Sequence, residues 1–311
     1  MTVVIDGAVA PTGTDLPSGS GPRARSRRGG AGYVFVSGYV ALLMLFGVGP
    51  VFYSVFLALT RPEGGFAGAG NFSKAVTDFR FWPAVQHVGV YLVLWLLSLS
   101  VLVVLLALVV HRLASRRTKS ALRFAYYIPG ALAGASSVLL WLFVLDPSVS
   151  PVAPLLRWTG SDTFTQVIAP SHLPVIFTII AFWTGAGGWI VVLYGALNTI
   201  SSDVMEAARV DGAGPVQTAV LIQLPLLRKW IAYMLILSMA AGTQLFVEPQ
   251  LVSQASFGIV GNDYSVNQLA YQYAFAQNDF NASAALSLLL LVVALVLSAV
   301  FVTRGKLFET E

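Results

Sequence analysis

The chain has 311 residues, of which 57% are hydrophobic and only 10% are charged. Soluble domains average about 25% charged residues, so this composition excludes an ordinary soluble protein and indicates an integral membrane protein. The net charge is +4, and the sequence contains no nucleic-acid-binding motif. It also contains no cysteine, which excludes disulfides, thiol redox chemistry and cysteine metal sites.

The first 32 residues form the most polar part of the chain. Residues 1–32 are rich in Gly, Pro, Ser, Thr and Arg, which predicts a disordered, basic cytoplasmic tail. The competing interpretation is a secretory signal peptide. However, the apolar stretch that follows is longer than an h-region of about 7–15 residues, and no clear cleavage site comes after it.

Six apolar segments follow the tail, each near or above the roughly 18–20 residues that cross a bilayer as a helix. They cover approximately residues 33–59, 88–110, 124–145, 173–196, 230–251 and 284–302. We therefore predict an all-α integral membrane protein with six transmembrane helices. This domain spans residues 33–305, and a short cytoplasmic tail, 306–311, ends the chain.

The distribution of Lys and Arg predicts the orientation of these helices. Of the 18 Lys and Arg residues, 14 fall in segments that share one side of the membrane with the N-terminus. The other four are Arg61, Lys74, Arg80 and Arg157. Both termini are thus predicted to be cytoplasmic. In the last outer loop, residues 267–277 are expected to form a short helix on the outer surface.

The loop between predicted helices 4 and 5, residues 201–225, begins with a helix signal. Asp203 is expected to N-cap a short helix, with Glu206 three residues later completing a box-like arrangement. Gly212 or Gly214 suits the left-handed conformation that stops a helix.

The second half of this loop predicts another helix. Pro215 suits its first position, and Pro225 is expected to break the pattern before helix 5. A helix–turn–helix of this kind has two interpretations: a lid packed on its own bundle, or a docking element for a soluble partner. The physics of the loop leaves both open.

The same loop resembles the EAA motif of ABC importer permeases. The matching positions are Glu206, Ala207, Ala208, Asp211, Gly212, Ile222, Leu224 and Pro225. With Ala213, they resemble the fuller EAAxxDGA form of the carbohydrate-uptake branch, the maltose and glycerol-phosphate type of sugar permease. The outer stretch Gly70-Asn71-Phe72 is also similar to a region after the first helix of those proteins.

The resemblance implies a type I ABC importer (MetI-like) permease fold in the bacterial plasma membrane. It implies that Glu206 contacts an ATPase, that Ala207 and Ala208 allow close approach, and that Gly212 supplies the turn. The implied partners are a second permease, with a heterodimer favoured, two copies of a cytoplasmic ABC ATPase, an extracytoplasmic solute-binding protein, and membrane lipid.

No cofactor is expected in this chain, and no enzymatic activity. The sequence has no GxxxxGK[ST], so ATP and Mg²⁺ are expected on the partner ATPase. The three histidines lie far apart near predicted helix ends, without the spacing of a metal site.

A substrate path is predicted in helices 4 and 5, because polar groups within a span usually face the bundle interior. Sugar sites combine aromatic faces with hydrogen-bonding side chains. The candidates are Trp183, Thr184, Gln244 and Glu248, with Tyr271 and Tyr273 as weaker ones. In the alternative interpretation, the tryptophans form an interfacial belt or pack, Glu248 lies outside the bilayer, and the tyrosine loop packs against the binding protein.

Three alternative functions would each require different features of the sequence. A secondary transporter would need ion-coupling groups within the spans, where Glu248 is the only candidate. A membrane enzyme would need a catalytic cluster, and no such spacing of His, Asp or Ser is present. An ABC permease for a solute other than sugar remains open.

Overall fold

The computed structural model describes residues 29–132 and 134–304. Of the predicted tails, residues 1–28 and 306–311 lie outside the described residues, whereas residues 29–32, which were predicted to be disordered, are helical and lead into the first span.

Helices dominate the described chain. Its strand content is limited to an isolated bridge between Thr60 and Phe66. The all-α prediction is therefore confirmed. The chain divides into two compact units, residues 1–50 and residues 51–311, and the sites below lie in the second unit.

Thirteen helices are used as landmarks below. In chain order they are α1 (Tyr33–Leu59), α2 (Gly70–Thr77), α3 (Phe81–Arg112), α4 (Arg116–Ala131), α5 (Ala135–Leu145), α6 (Ala153–Trp158), α7 (Phe164–Val167), α8 (Leu173–Leu197), α9 (Ser202–Val210), α10 (Pro215–Gly242), α11 (Val247–Ala255), α12 (Val266–Tyr271) and α13 (Phe280–Arg304).

Five of these helices, α1, α3, α8, α10 and α13, are long and apolar enough to cross a membrane. The pair α4 and α5 forms a sixth span if it is counted as one, with a bend of 101° between its halves. Six predicted spans thus correspond to these elements, although the third is strongly bent. Gly134, whose φ is +60°, lies at the bend.

The fifth span differs most from its prediction. It was expected over 230–251, but α10 begins at Pro215 and ends at Gly242, so the second helix of the loop and the span are one helix. The expected break at Pro225 is wrong. A π-helical turn, Thr218–Gln223, directly precedes it, and this wider turn already interrupts the i→i−4 bonding that a proline would remove.

Two asparagine amides hold the end of α1. Asn71 Nδ2 donates to the carbonyls of Ala58 (2.9 Å) and Thr60 (2.8 Å). Asn281 Nδ2 donates to the carbonyls of Leu57 (2.9 Å) and Thr60 (2.9 Å). The last carbonyls of a helix lack partners within it, so these amides satisfy them and tie the helix end to α2 and α13.

Glycines allow α4 and α8 to cross in backbone contact. A Cβ added at Gly187 would lie 1.8 Å from the carbonyl oxygen of Tyr126. A Cβ at Gly130 would lie 3.0 Å from the carbonyl oxygen of Thr184. Small residues permit this close approach in membrane helices, and here no side chain fits between the two backbones.

The indole of Trp95 marks where α3, α8 and α10 meet. Trp95 is buried, and a Cβ at Gly185 would lie 3.1 Å from its ring. A Cβ at Gly242 would lie 3.2 Å from the same ring and 2.6 Å from Leu92. The two glycines therefore make room for one large side chain at the centre of the bundle.

The segment predicted to form a short helix on the outer surface is helical and has one buried face. Its first part is α12, with a capping box formed by Ser265 and Gln268. Leu269 is 0% exposed and Tyr273 is 2% exposed, whereas Phe275 is 69% exposed. The short helix is confirmed, and its apolar face packs with residues of α2, α3 and α13 in a small core; its position at the outer membrane surface stays a prediction.

Candidate coupling loop and substrate path

The coupling loop begins with α9, whose N-terminus lacks a side-chain cap. The cap residue is Ser201, which has extended backbone angles, and its side chain makes no capping bond. The predicted cap at Asp203 is wrong because Asp203 already lies in the first turn of the helix. At that position its carboxylate still interacts favourably with the positive end of the helix dipole.

A tight turn at Gly212 ends α9. Gly212 has a φ of +76°, the amide of Ala213 donates to the carbonyl of Ala208 (2.9 Å), and the amide of Gly212 donates to that of Arg209 (3.1 Å). These two bonds form a Schellman motif, which needs a left-handed residue at the glycine position. The prediction of a left-handed glycine is confirmed at Gly212.

The next helix starts as the sequence predicts. Gly214 has a φ of −68° and is the N-cap of the helical segment, with Pro215 in the first helical turn. The Gln217 side chain accepts a bond from the Gly214 amide at 2.8 Å. The turn therefore joins two helix ends whose backbone groups are satisfied locally, which makes it a rigid corner.

One face of this corner is open. Glu206, Ala207 and Asp211 are exposed, whereas Ala208 is only 5% exposed. The resemblance assigned Ala208 to the contact surface, but its side chain points into the protein and supports the turn. Val210 is 87% exposed, and sequence reasoning missed it as a surface residue because an apolar residue suggests burial.

The remaining motif positions lie in α10. Ile222 and Leu224 are half-buried and Pro225 is exposed. Leu224 packs against the main hydrophobic core of the bundle. These residues therefore connect the exposed corner to the transmembrane core.

The substrate candidates on α8 include one whose polar atom is already engaged. The Thr184 hydroxyl donates to the carbonyl of Ile180 at 3.0 Å. The half-buried ring of Trp183 stands edge-on to Trp141, with 5.8 Å between centroids and 86° between planes. Trp141 Nε1 is buried and has no hydrogen-bond partner. Trp141 was not among the residues predicted from the sequence, although a tryptophan within an apolar span was a signal.

The other two candidates lie beyond the helix to which they were assigned. Gln244 and Glu248 follow the end of α10 at Gly242, and Glu248 lies in the first turn of α11. Gln244 is exposed and Glu248 is half-buried. Burial raises the pKa of the Glu248 carboxyl. Their placement in helix 5 is therefore wrong, because that helix begins and ends earlier than predicted.

The backbone near one candidate on each side approaches the ring of Trp95. A Cβ added at Gly185, next to Thr184, would lie 3.1 Å from that ring, and one at Gly242, two residues before Gln244, would lie 3.2 Å from it. These two backbone segments therefore meet at the junction of α3, α8 and α10.

The two weaker candidates have different environments. The Tyr273 hydroxyl donates to Asp78 at 2.6 Å, and the Arg80 guanidinium donates twice to the same carboxylate, at 3.0 and 2.7 Å. Tyr273 is thus a buried structural residue. Tyr271 is 40% exposed and its ring contacts Phe275.

No metal centre is evident in the described part of the chain, where no three His, Cys, Asp or Glu side chains group together. His87 instead stacks on Tyr264, with 4.3 Å between ring centroids.

The fold and the loop together define a multi-pass helical membrane permease. Residues 119–305 match the sequence profile of the family described as the inner membrane component of binding-protein-dependent transport systems. The match covers more than half of the chain, and the chain therefore belongs to this family.

Individual relatives agree with this membership. The multiple sugar-binding transport system permease protein MsmF of Streptococcus mutans is 27% identical over 286 residues, which cover 89% of this chain and 96% of MsmF. A bacterial ABC transporter that imports the acidic polysaccharide alginate contains a chain with a TM-score of 0.78 and 21% identity, covering 90% of this chain and 96% of that one. The alginate transporter in complex with a periplasmic protein bound to alginate pentasaccharide gives a TM-score of 0.74 at 20% identity, with coverages of 89% and 94%.

Proposed function

We propose that this chain is a permease subunit of an ATP-driven importer and forms the translocation pathway for a sugar or oligosaccharide. An extracytoplasmic binding protein delivers the solute. The sugar named for MsmF and the alginate named for the structural relatives support this substrate class.

The observation that carries the coupling role is the open face of the loop. We call Glu206, Ala207, Val210, Asp211 and Gly212 the coupling surface. A lid would bury its apolar side chains against its own bundle, yet Val210 is 87% exposed at the end of α9. Single exposed apolar residues are common, but this one lies beside the exposed motif residues Glu206, Ala207 and Asp211, and the combination favours docking of a partner.

The partner at the coupling surface is a cytoplasmic ATPase, present in two copies, which binds ATP and Mg²⁺. A second permease, different from this chain, completes the pathway. Glu206 pairs with the ATPase surface, and Val210 supplies the apolar contact. Both termini of this chain are cytoplasmic, as the distribution of Lys and Arg supports.

The substrate path of this proposal runs past the junction at Trp95. Trp183 and Trp141 offer aromatic surface and an indole N–H, and Gln244 and Glu248 offer polar groups. Thr184 contributes through its position in the contact between α4 and α8, since its hydroxyl is already bonded within α8.

A matched pair of glycine variants tests the coupling role. Gly212 and Gly65 both have positive φ, +76° and +91°, and a Cβ at either meets no atom within 4 Å. Gly212→Trp is expected to abolish ATPase co-purification and import while membrane insertion is kept. Gly65→Trp, in the outer loop, also places a tryptophan at a glycine of positive φ and is expected to keep both ATPase co-purification and import. Normal import by Gly212→Trp would contradict the coupling role.

The orientation has its own test, because the natural chain contains no cysteine. In spheroplasts, a membrane-impermeant maleimide is expected to label Phe66→Cys directly and Glu206→Cys only after permeabilisation. Direct labelling of Glu206→Cys would place the loop outside and overturn the proposal.

A further inference from the structure

A polar cavity lies beside the coupling loop, between the end of α3 and the start of α4. We call this cavity, of about 400 Å³, the basic pocket. Its polar lining is formed by His111, Arg112, Lys119, Arg209, Thr218 and Gln223. Its lining therefore comes from α3, α4 and α10, and from α9, which carries part of the coupling surface.

The charge of the basic pocket is unbalanced. The residues that line it include three basic side chains, the exposed Arg112 and Arg209 and the half-buried Lys119, but no Asp or Glu. Across the described residues, the ion pairs Lys74–Asp279 and Arg80–Asp78 involve none of these three. The Arg112 guanidinium donates to the carbonyl of Pro215. Like charges gathered in one cavity repel each other, and a bound anion removes that repulsion.

A buried amide in the same pocket also lacks a partner. Gln223 is 1% exposed, and its Oε1 accepts no hydrogen bond. The Thr218 hydroxyl is already used, since it donates to the carbonyl of Gly214 at 3.0 Å. The unused acceptor suits a ligand that carries a hydroxyl group in addition to its negative charge.

A second, apolar cavity begins where the basic pocket ends. This apolar groove, of about 430 Å³, runs along α3 and α10 and is lined by Val101, Val104, Leu105, Leu108, Val220 and Ile231. Arg112 lines both cavities. An arginine can lie with its aliphatic stem on apolar surface and its guanidinium in a polar region. Arg112 therefore connects the apolar groove to the basic pocket.

We propose that the basic pocket and the apolar groove together bind one anionic phospholipid with a hydroxyl-bearing headgroup, of the phosphatidylglycerol kind. Arg112, Lys119 and Arg209 hold the phosphate, Gln223 accepts a bond from a headgroup hydroxyl, and an acyl chain fills the groove. A soluble phosphate would use only the pocket, whereas the adjoining groove matches a lipid. The lipid lies in the cytosolic leaflet, and this placement rests on the proposed function, which sets the orientation.

The test measures lipid retention by the full-length chain. The chain is purified in mild detergent with equal amounts of phosphatidylglycerol and phosphatidylcholine, and the retained lipid is quantified by mass spectrometry. Phosphatidylglycerol is expected to dominate. Lys119→Gln and Arg209→Gln are each expected to lower its retention about fivefold, the effect of one basic residue near an anionic membrane surface. The matched control Arg117→Gln removes an exposed charge that does not line the pocket, and retention stays unchanged.

A second pair of variants tests the groove. Leu105→Trp fills it and is expected to reduce phosphatidylglycerol retention, whereas Leu102→Trp lies on the same helix outside the groove lining and has no effect. Equal retention of phosphatidylcholine overturns the proposal, as does displacement of the lipid by millimolar sn-glycerol 3-phosphate, which would assign a soluble phosphate ester.

The measurement is then repeated on the complex with the ATPase and the second permease. Retained phosphatidylglycerol supports the site, and its loss means that partner chains occupy the groove, which overturns it. Retention needs neither transport nor ATP hydrolysis. A failure of the lipid site is therefore distinguishable from a failure of the proposed function.

Discussion

At the scale of single residues, Gly187 is the position with least room. A Cβ there would lie 1.8 Å from the Tyr126 carbonyl oxygen, whereas a Cβ at Gly188 meets nothing within 4 Å. Gly187→Ala must push two backbones apart, and we expect it to lower stability by about 1–3 kcal/mol, the usual cost of overpacking.

Thermal melting of the purified chain in detergent checks this expectation. Gly188→Ala is the control and should melt like the natural protein, since it shares the helix and the chemical change. Equal melting of both variants would show that α4 and α8 do not cross in backbone contact.

Residue-level features of the coupling loop were only partly predictable. The sequence identified Gly212 and Pro215, because turn chemistry depends on backbone freedom that is specific to Gly and Pro. It misplaced the cap at Asp203, since Ser201 and Asp203 are both good capping residues and the choice depends on where the preceding span ends. Ala208 and Ala207 cannot be distinguished by residue type, and only the packed turn shows that Ala208 faces inward.

At the scale of elements, Asp78 links the start of α3 to Tyr273, which lies in the π-helical turn after α12. The hydrogen bonds from Arg80, with a further bond from Tyr273, outweigh burial and hold the pKa of the Asp78 carboxyl well below its ordinary value of 3.8. A lowered folded-state pKa stabilises the fold above the ordinary pKa, and this contribution is lost as the pH falls towards the folded-state value.

The resulting prediction concerns the difference in melting temperature between the natural protein and Asp78→Asn. We expect this difference to be constant from pH 7 to about pH 5 and to shrink below about pH 4. Melting curves measured across this range provide the test. A difference that instead grows on acidification would show that Asp78 is not held as a carboxylate.

A second element-scale prediction concerns the two asparagines at the end of α1. Asn71→Ala and Asn281→Ala should each lower stability by about 1–3 kcal/mol, since each removes two hydrogen bonds worth roughly 0.5–1.5 kcal/mol. The double variant should lose more stability than the two single variants together. The Thr60 carbonyl keeps one asparagine donor in either single variant and has neither in the double variant. Strict additivity in a melting experiment would contradict this shared role.

The spans were predictable to the extent that apolar runs define them. The first and fourth spans were placed within about a residue of α1 and α8, because polar residues flank both runs closely. The fifth was displaced because Pro225 was interpreted as a helix breaker, and the π-helical turn that accommodates it leaves no sequence signal. The bend between α4 and α5 likewise depends on tertiary packing.

At the scale of the whole molecule, the sequence carries no motif for either of two energy sources, ATP hydrolysis and proton coupling. It has no GxxxxGK[ST] sequence, and none of its six spans contains Asp or Glu, the groups that proton-coupled transporters use. We expect proteoliposomes with this chain alone to neither hydrolyse ATP nor accumulate sugar. Adding the ATPase, the second permease and the binding protein should give uptake that vanadate inhibits.

Uptake by the isolated chain driven by an ion gradient would instead identify a secondary transporter. Vanadate-sensitive uptake of a non-sugar solute would keep the importer class and change only the substrate. The first outcome would change the energy source assigned to the protein, and the second would change only its solute.

The continuity of α10 has a mechanical consequence. A helix of 28 residues is about 42 Å long, and this one runs from the rigid corner at Gly212 to the junction at Trp95 without a loop. If an ATPase tilts its near end by about 10°, the far end sweeps about 7 Å, roughly the width of a sugar ring. The helix would then act as a lever that carries a small displacement at the coupling surface to the residues around Trp95.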